Sequence, residues 1–164
     1  MILLKDRKET DSFLSVNNDI YRIITVFNKC QPLKKLLVHT DAKPLQGADV
    51  NKDLRDKQIA RAPLLPYNEE EGSIVVVTMI EGEVDEKTGA MTTTLTIDIF
   101  TPGNQWIINE GIRPLQIAHA INNLMKDEMK QTDGVKYRLA SINNSQLSDI
   151  LLGYRMIYET VIDE

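Results

Sequence analysis

The last seventy or so residues constrain the fold more than any other part of the chain, because two hydrophobic periodicities follow each other there in a fixed order. Apolar and polar residues alternate over residues 91–100, which is typical of a half-buried β-strand. An amphipathic helix is predicted over residues 115–129, with Leu115, Ala118, Ile121 and Met125 along one stripe. Two extended segments follow, at 135–142 and 150–162. The order strand–loop–helix–strand–strand favours a helix packed on a sheet.

The first part of the chain predicts two helices. Residues 17–19 are good N-cap residues, and the helical spacing of the apolar residues after them predicts a helix that begins near residue 17. Pro32 is tolerated in a first helical turn but not in an interior. We therefore expect a break near residue 31 and a short second helix over residues 33–38.

Residues 39–72 form a connection of unusual length for a small domain. Prolines and glycine are scattered along it, and residues 49–60 fit at most a short helix. Two interpretations stay open, a loose surface loop and a segment that contacts a neighbouring subunit. The apolar residues Leu64, Leu65 and Tyr67 favour the second interpretation, because a purely solvated loop rarely carries such a run.

Residues 73–81 are β-branched and apolar on both faces, and a turn-rich tip at 85–89 joins them to the strand at 91–100. The chain therefore predicts a single α+β domain over residues 1–164, with the order α-(long loop)-ββ-α-ββ. A mainly antiparallel four-stranded sheet is expected to pack with helices. In this scheme residues 1–38 supply the N-terminal helices, 39–72 the connecting and contact segment, and 73–164 the ββαββ core.

The length and the net charge of the chain limit the classes of function that it can have. A chain of 164 residues can bury roughly two-thirds of its unfolded surface. The net charge of −5 argues against broad, non-specific nucleic-acid binding, which depends on an excess of lysine and arginine. The N-terminal apolar run ends at Lys5, too early for a signal peptide or a membrane span. We expect a protein kept in the cytoplasm or in a particle assembled there.

Candidates for catalysis are few, and we predict that the chain is not an enzyme and uses no cofactor or metal. His39 and His119 have no sequence neighbour that would indicate a catalytic triad. Asp98 lies in an apolar strand, where facing water or pairing with a cross-strand cation is more common than acting as a base. Cys30 is the single cysteine, which excludes an internal disulfide, and a small buried apolar role suits it. The acidic run at 69–71 lacks the glycine turn of a calcium loop.

Trp106 and Arg113 allow two explanations of equal weight. One is a core tryptophan and a surface arginine at a helix start. The other is an interface anchored by Trp106 and Arg113, with Ile107 beside them, since tryptophan and arginine are typical interface anchors. The candidate interface residues are Leu64, Leu65, Tyr67, Trp106, Ile107 and Arg113.

Short stretches along the chain also carry a family resemblance. They are Asn18-Asp-Ile-Tyr-Arg-Ile-Ile24, Leu36-Leu37, Pro44-Leu45, Ile97-Asp-Ile-Phe100, Trp106-Ile107, Ile112-Arg-Pro-Leu-Gln-Ile117 and Leu152-Gly-Tyr-Arg-Met-Ile-Tyr158. The first three are similar to the opening of small phage morphogenesis proteins. The others, with the layout of the second half, resemble tail-terminator or tail-completion proteins of tailed bacteriophages.

This resemblance implies a structural virion protein of the tail or neck. A tail terminator forms a ring, expected here to be a hexamer, at the top of the tail tube, where it stops tube growth and joins the tail to the head connector. The implied partners are further copies of the chain, the tail-tube protein and head-connector or neck proteins. Genome DNA would pass through the lumen without specific binding, and no membrane is involved. The alternatives are another neck component such as a head-completion protein, a baseplate protein, or a non-enzymatic module that binds a host factor.

Overall fold

A computed structural model describes residues 4–62, 72–87, 91–127 and 136–161, and the side chains of residues 14–62, 72–87, 92–127 and 136–160. The candidate interface residues Leu64, Leu65 and Tyr67, and the acidic run at 69–71, lie outside the described residues. The helices are α1 (Leu4–Lys29), α2 (Gln31–Val38) and α3 (Arg113–Asp127). The strands are β1 (Ile59–Ala60), β2 (Ile74–Val84), β3 (Met91–Pro102), β4 (Ile107–Ile108), β5 (Gly111–Ile112), β6 (Lys136–Gln146) and β7 (Leu151–Val161).

The first helix begins at Leu4, so the predicted start near residue 17 was wrong. The expected capping residue Asp19 does not cap a helix end. Its side chain is buried and accepts a hydrogen bond from the Tyr137 hydroxyl on β6, at 3.0 Å. The break before α2 is confirmed, and Pro32 occupies the first turn of that helix as expected.

The main sheet has five strands in the order β1-β2-β3-β7-β6. The last four are antiparallel to their neighbours, whereas β1 is parallel to β2. Strands β4 and β5 form a separate two-stranded sheet. The α+β class is thus confirmed, but the sheet is mixed and five-stranded instead of antiparallel and four-stranded. The two residues of β1 are too few to show a strand period in the sequence.

The short helix considered for residues 49–60 does not form. Asp56 has a φ of 56°, in the left-handed region, and the amide of Ile59 donates to the carbonyl of Leu54 at 2.9 Å. A right-handed helix cannot continue through such a residue, because the left-handed conformation reverses the direction of the chain. Ile59 follows this turn as the first residue of β1, and β1 runs parallel to β2.

Side chains from α1 and α2 hold the described part of the long connection in place. The Gln31 amide both donates to the carbonyl of Val50 and accepts from its amide, at 3.1 and 2.9 Å. The amide of Leu54 donates to the side chain of Asn28, at 2.8 Å. Because Val50 and Leu54 are buried in the main core, this part of the connection packs on its own chain. It therefore leaves these apolar side chains unavailable to a neighbouring subunit.

The three helices cover one face of the sheet and share a single buried cluster with it. Alternate residues of β3 point into this cluster, namely Leu95, Ile97 and Ile99. The opposite face carries a smaller cluster formed by Ala60, Ile74, Val76, Phe100 and Leu151, with Leu147 packed against it. The helices are therefore confined, among the described residues, to one side of the sheet.

Two buried tyrosines indicate that the free energy of unfolding decreases at alkaline pH. Tyr137 donates to Asp19, and Tyr158 donates to Asn122 at 3.0 Å. Burial raises the pKa of both phenols well above the ordinary value. Burial is also the main reason that the pKa of Asp19 is raised.

We expect the free energy of unfolding to fall as the pH rises above about 10, where unfolded tyrosines ionise. Because the folded-state pKa is raised, the folded protein keeps its protons longer than the unfolded chain does. The contribution of the two protonated phenols to the free energy of unfolding is present below that pH. It is lost above it, by up to about 1.4 kcal/mol per pH unit for each tyrosine. Urea unfolding between neutral and alkaline pH would measure the slope. The double variant Tyr137→Phe/Tyr158→Phe should flatten it, and an unchanged slope in that variant would contradict the assignment.

Candidate interaction surface

Arg113, at the first position of α3, is fully buried and joins three segments of the chain. Its Nε donates to the carbonyl of Gln105 at 2.8 Å, and its Nη1 donates to the carbonyl of Leu36 at 2.9 Å. The guanidinium also donates to the carbonyls of His39 and Asp41. Burial lowers the pKa of Arg113, and main-chain carbonyls satisfy its donors. This geometry uses the side chain inside the fold, so we exclude Arg113 from the candidate surface.

Trp106 also packs mainly within the chain. Its Nε1 donates to the carbonyl of Thr101 at 3.1 Å, and its ring lies beside that of Tyr154, with centroids 6.0 Å apart. The side chain is half-buried. Of the two explanations for Trp106, the geometry favours the one in which the ring belongs to the fold.

Ile107 is different, because it is 74% exposed. It lies in β4 opposite Ile112 in β5, which is 36% exposed. Residues opposite each other in an antiparallel pair lie on the same face, so the two side chains form one apolar surface. Leu115, in the first turn of α3, is 42% exposed. We call Ile107, Ile112 and Leu115 the hairpin patch.

The hairpin patch sits on a well-anchored support. Ile108 is buried in the main core, on the opposite face of β4 from Ile107. The amide of Asn109 donates to the carbonyl of Ala42 at 2.8 Å, and the amide of Arg113 donates to the carbonyl of Trp106 at 2.7 Å. Gly111 has a φ of 118°, a conformation that L side chains rarely adopt, and this lets the chain turn from β4 into β5. The patch is therefore apolar, exposed and fixed in orientation.

Sequence reasoning identified Ile107 but missed the other two members of the patch. Leu115 was predicted on the buried stripe of α3, whereas the buried residues of this helix are Arg113, Pro114, Ile117, Ala118, Ile121 and Met125. Because Arg113 is buried, the helix is rotated relative to the expected stripe. The glycine four positions after Ile107 was the available signal for a tight hairpin.

Asp98 forms an ion pair with Arg155. Its carboxylate is buried and accepts from Nε and Nη2 of Arg155, at 2.8 and 3.1 Å. The two residues are cross-strand partners in β3 and β7, which is one of the two structural roles that the sequence left open for Asp98. Hydrogen bonding to the carboxylate raises the pKa of Arg155. Both acceptor oxygens face the same cation, so Asp98 holds the two strands together.

The remaining candidates for chemistry are engaged in local contacts. His39 follows the last residue of α2, and its Nε2 lies 2.8 Å from the carbonyl oxygen of Ala48. His119 is exposed on α3, with Nε2 3.1 Å from the side-chain nitrogen of Asn123. Cys30 is half-buried and packs against the main core. Over the ranges that the structure describes, no group of three His, Cys, Asp or Glu side chains could hold a metal ion.

A helix that crosses a bilayer needs about 20 predominantly apolar residues. Within the described residues, none of the helices is long and apolar enough to cross a membrane.

A protein-family model matches most of the chain. The model of the YomW family matches residues 31–160. The matched region starts at the first residue of α2 and includes the Arg113 contacts, the hairpin patch and nearly all of the main sheet. No curated protein and no solved structure matches the chain significantly.

Proposed function

We propose that this chain, which belongs to the YomW family, is a structural protein of the phage particle and acts as a tail terminator. The YomW family is a phage-derived gene family. In this role six copies form a ring at the top of the tail tube, stop tube growth and join the tail to the head connector. The particle is assembled in the host cytoplasm, and genome DNA passes through the lumen without specific binding. The observation that carries the proposal is the hairpin patch.

The hairpin patch leaves apolar side chains in contact with water. Ile107 is 74% exposed although Arg113 and Asn109 fix the position of its hairpin. Burying an isoleucine side chain fully is worth about 1.5–3 kcal/mol, so an exposed and oriented patch favours contact with another protein. In a ring each such contact is repeated once per subunit. Ion pairing of Asp98 within the sheet fits assembly better than turnover of a substrate.

The order of elements supports the same role. The antiparallel part of the sheet, with α3 between β3 and β6 along the chain, has the ββαββ layout on which the resemblance to tail terminators rests. The net charge of −5 suits a lumen through which DNA passes without being held.

An Ile107→Glu phage tests the proposal. We expect the purified variant protein to fold as well as the natural one, because the side chain is exposed. We expect tails of irregular length and heads without tails, counted by electron microscopy of purified particles. Leu14→Glu is the matched control, since Leu14 is 55% exposed on α1 and lies outside the region that the family model matches. That control should give normal particles.

Each alternative function predicts a different location of the protein, which purified particles and labelled protein would reveal. Absence of the protein from purified particles, with a stable complex with a host protein, would overturn the proposal in favour of a host-factor module. Labelled protein on the portal side of heads, with tails of normal length, would indicate a head-completion protein. Label at the distal end of the tail would indicate a baseplate protein.

A further inference from the structure

The main sheet has two open edges in the described residues. Strand β6 is the outer strand on one side. On the other side β1 pairs only with Val75 and Val76, so residues 77–84 of β2 have no strand on their outer side among the described residues. An open strand edge presents main-chain donors and acceptors that can pair with another chain.

The two open edges carry charges of opposite sign. The outer half of β2 contains Glu81 and Glu83, and the start of β6 contains Lys136 and Arg138. All four residues are exposed. The Arg138 side chain is 74% exposed and lies 3.8 Å from Glu159, an ion pair that is long and solvated.

The strand register places these charges at the same level. Glu81 is paired with Thr94 in β3, Thr94 with Glu159 in β7, and Glu159 with Arg138 in β6. Glu81 and Arg138 therefore stand at opposite ends of one row across the sheet. Because directly paired residues point to the same face, both side chains project from one face of the sheet.

The neighbouring row repeats the arrangement. Glu83 is paired with Thr92, two residues from Thr94. Lys136 is paired with Val161, two residues from Glu159. The two carboxylates on β2 thus match the two cations on β6 in spacing, level and face.

Strand direction also allows the edges to meet. Each of β2, β3, β7 and β6 is antiparallel to the next, so β2 and β6 run in opposite directions. When subunits are related by rotation about an axis roughly along the strands, β6 of one copy lies antiparallel to β2 of the next. Such a contact joins two different surfaces and closes into a ring.

We propose that the start of β6 in one copy pairs with the outer half of β2 in the next copy, with Arg138 and Lys136 facing Glu81 and Glu83 of that neighbour. The partner is a second copy of this chain, and the inference rests on the proposed ring, whose subunit contact it names. The pairing covers three exposed apolar residues of β2, Met79 at 38%, Ile80 at 52% and Val84 at 40%.

Charged residues and bulges on edge strands can also serve to prevent pairing. Both strands have a bulge, between Met79 and Glu81 in β2 and between Leu139 and Ser141 in β6. Charges that only keep copies apart are expected to have the same sign on both edges, since like charges opposite each other repel. Opposite signs in matched rows instead attract one copy to the next. The two bulges lie on either side of one row of the sheet, that of Met79 and Leu139, and the charged rows lie beyond both of them.

Two charge-reversed variants test this contact. One carries Glu81→Lys and Glu83→Lys, and the other carries Lys136→Glu and Arg138→Glu. Light scattering coupled to size exclusion, at the highest soluble concentration, reports assemblies larger than the 18.6 kDa monomer. We expect each variant alone to associate at least about tenfold more weakly than the natural protein. An equimolar mixture should assemble again, because each junction of an alternating ring then pairs opposite charges.

The matched control reverses two exposed lysines on helices, Lys29→Glu and Lys126→Glu, and should assemble normally. Urea unfolding of each variant checks that the monomer fold is intact. Normal assembly of both edge variants, or a monomeric natural protein, would overturn the edge contact. These results would leave the particle test of Ile107→Glu unaffected, so failure of the contact and failure of the tail-terminator role are separate outcomes.

Discussion

Replacing Arg113 by methionine is expected to lower the free energy of unfolding by about 3–5 kcal/mol, because several main-chain carbonyls lose the donor that satisfies them. The guanidinium is fully buried, and its donors reach the carbonyls of Leu36, His39, Asp41 and Gln105. Without it these main-chain acceptors lose their partner, and each buried acceptor left unsatisfied costs about 1–3 kcal/mol. Water can reach the more exposed ones, which limits the total.

Urea unfolding followed by circular dichroism measures this loss. Arg113→Lys keeps the charge but not the planar fork of donors, so its loss should lie between those of the natural protein and Arg113→Met. Lys52→Met is the control on the surface, where the side chain is exposed and belongs to neither proposed contact, and should stay within about 0.5 kcal/mol of the natural protein. A loss below about 1 kcal/mol for Arg113→Met would contradict the role assigned to Arg113.

Replacing Gly153 by alanine is expected to cost about 3 kcal/mol or more, because the neighbouring backbone leaves no room. Gly153 lies in β7 opposite Phe100 in β3 and Ser145 in β6. An added Cβ would lie 1.7 Å from the carbonyl oxygen of Ile99 and 2.7 Å from its carbonyl carbon. No side-chain rotation relieves such a contact, so β3 and β7 would have to separate at the centre of the sheet.

The measurement for Gly153→Ala is thermal unfolding beside a second glycine-to-alanine variant. At Gly103, which opens the short 3-10 helix after β3, an added Cβ meets nothing within 4 Å. Gly103→Ala should therefore melt close to the natural protein, whereas Gly153→Ala should melt far below it or fail to fold. Similar melting temperatures for the two variants would show that the sheet adjusts at Gly153.

The four long strands, β2, β3, β6 and β7, and the helix α3 could be predicted within a few residues, because the pattern that specifies them is local. Alternation over residues 91–100 lies within β3 (Met91–Pro102), and the helix expected over 115–129 overlaps α3 (Arg113–Asp127). A cross-strand cation was one of the two structural roles considered for Asp98, but the sequence did not identify Arg155 as that cation. The strands and the helix α3 depend on side-chain patterns that repeat every two or 3.6 residues.

Features that depend on distant partners could not be predicted. Asp19 is a typical helix-capping residue, but it lies inside a longer helix and its hydrogen-bond partner Tyr137 is 118 residues away. The burial of Arg113 depends on main-chain carbonyls, including one 77 residues away, which leave no trace in the local sequence. For the same reason the candidate surface was identified only through Ile107, while Arg113 was assigned to it and Leu115 was not.

The main-chain acceptors of Arg113 also bear on how such a chain can change over evolutionary time. A carbonyl is present at every residue, so substitutions at His39, Asp41 or Gln105 retain the atom to which the guanidinium donates. A single arginine can thus preserve the orientation of the β4–β5 hairpin while the segments that it holds diverge in sequence. A chain built in this way can lose detectable likeness to its relatives faster than it loses its shape.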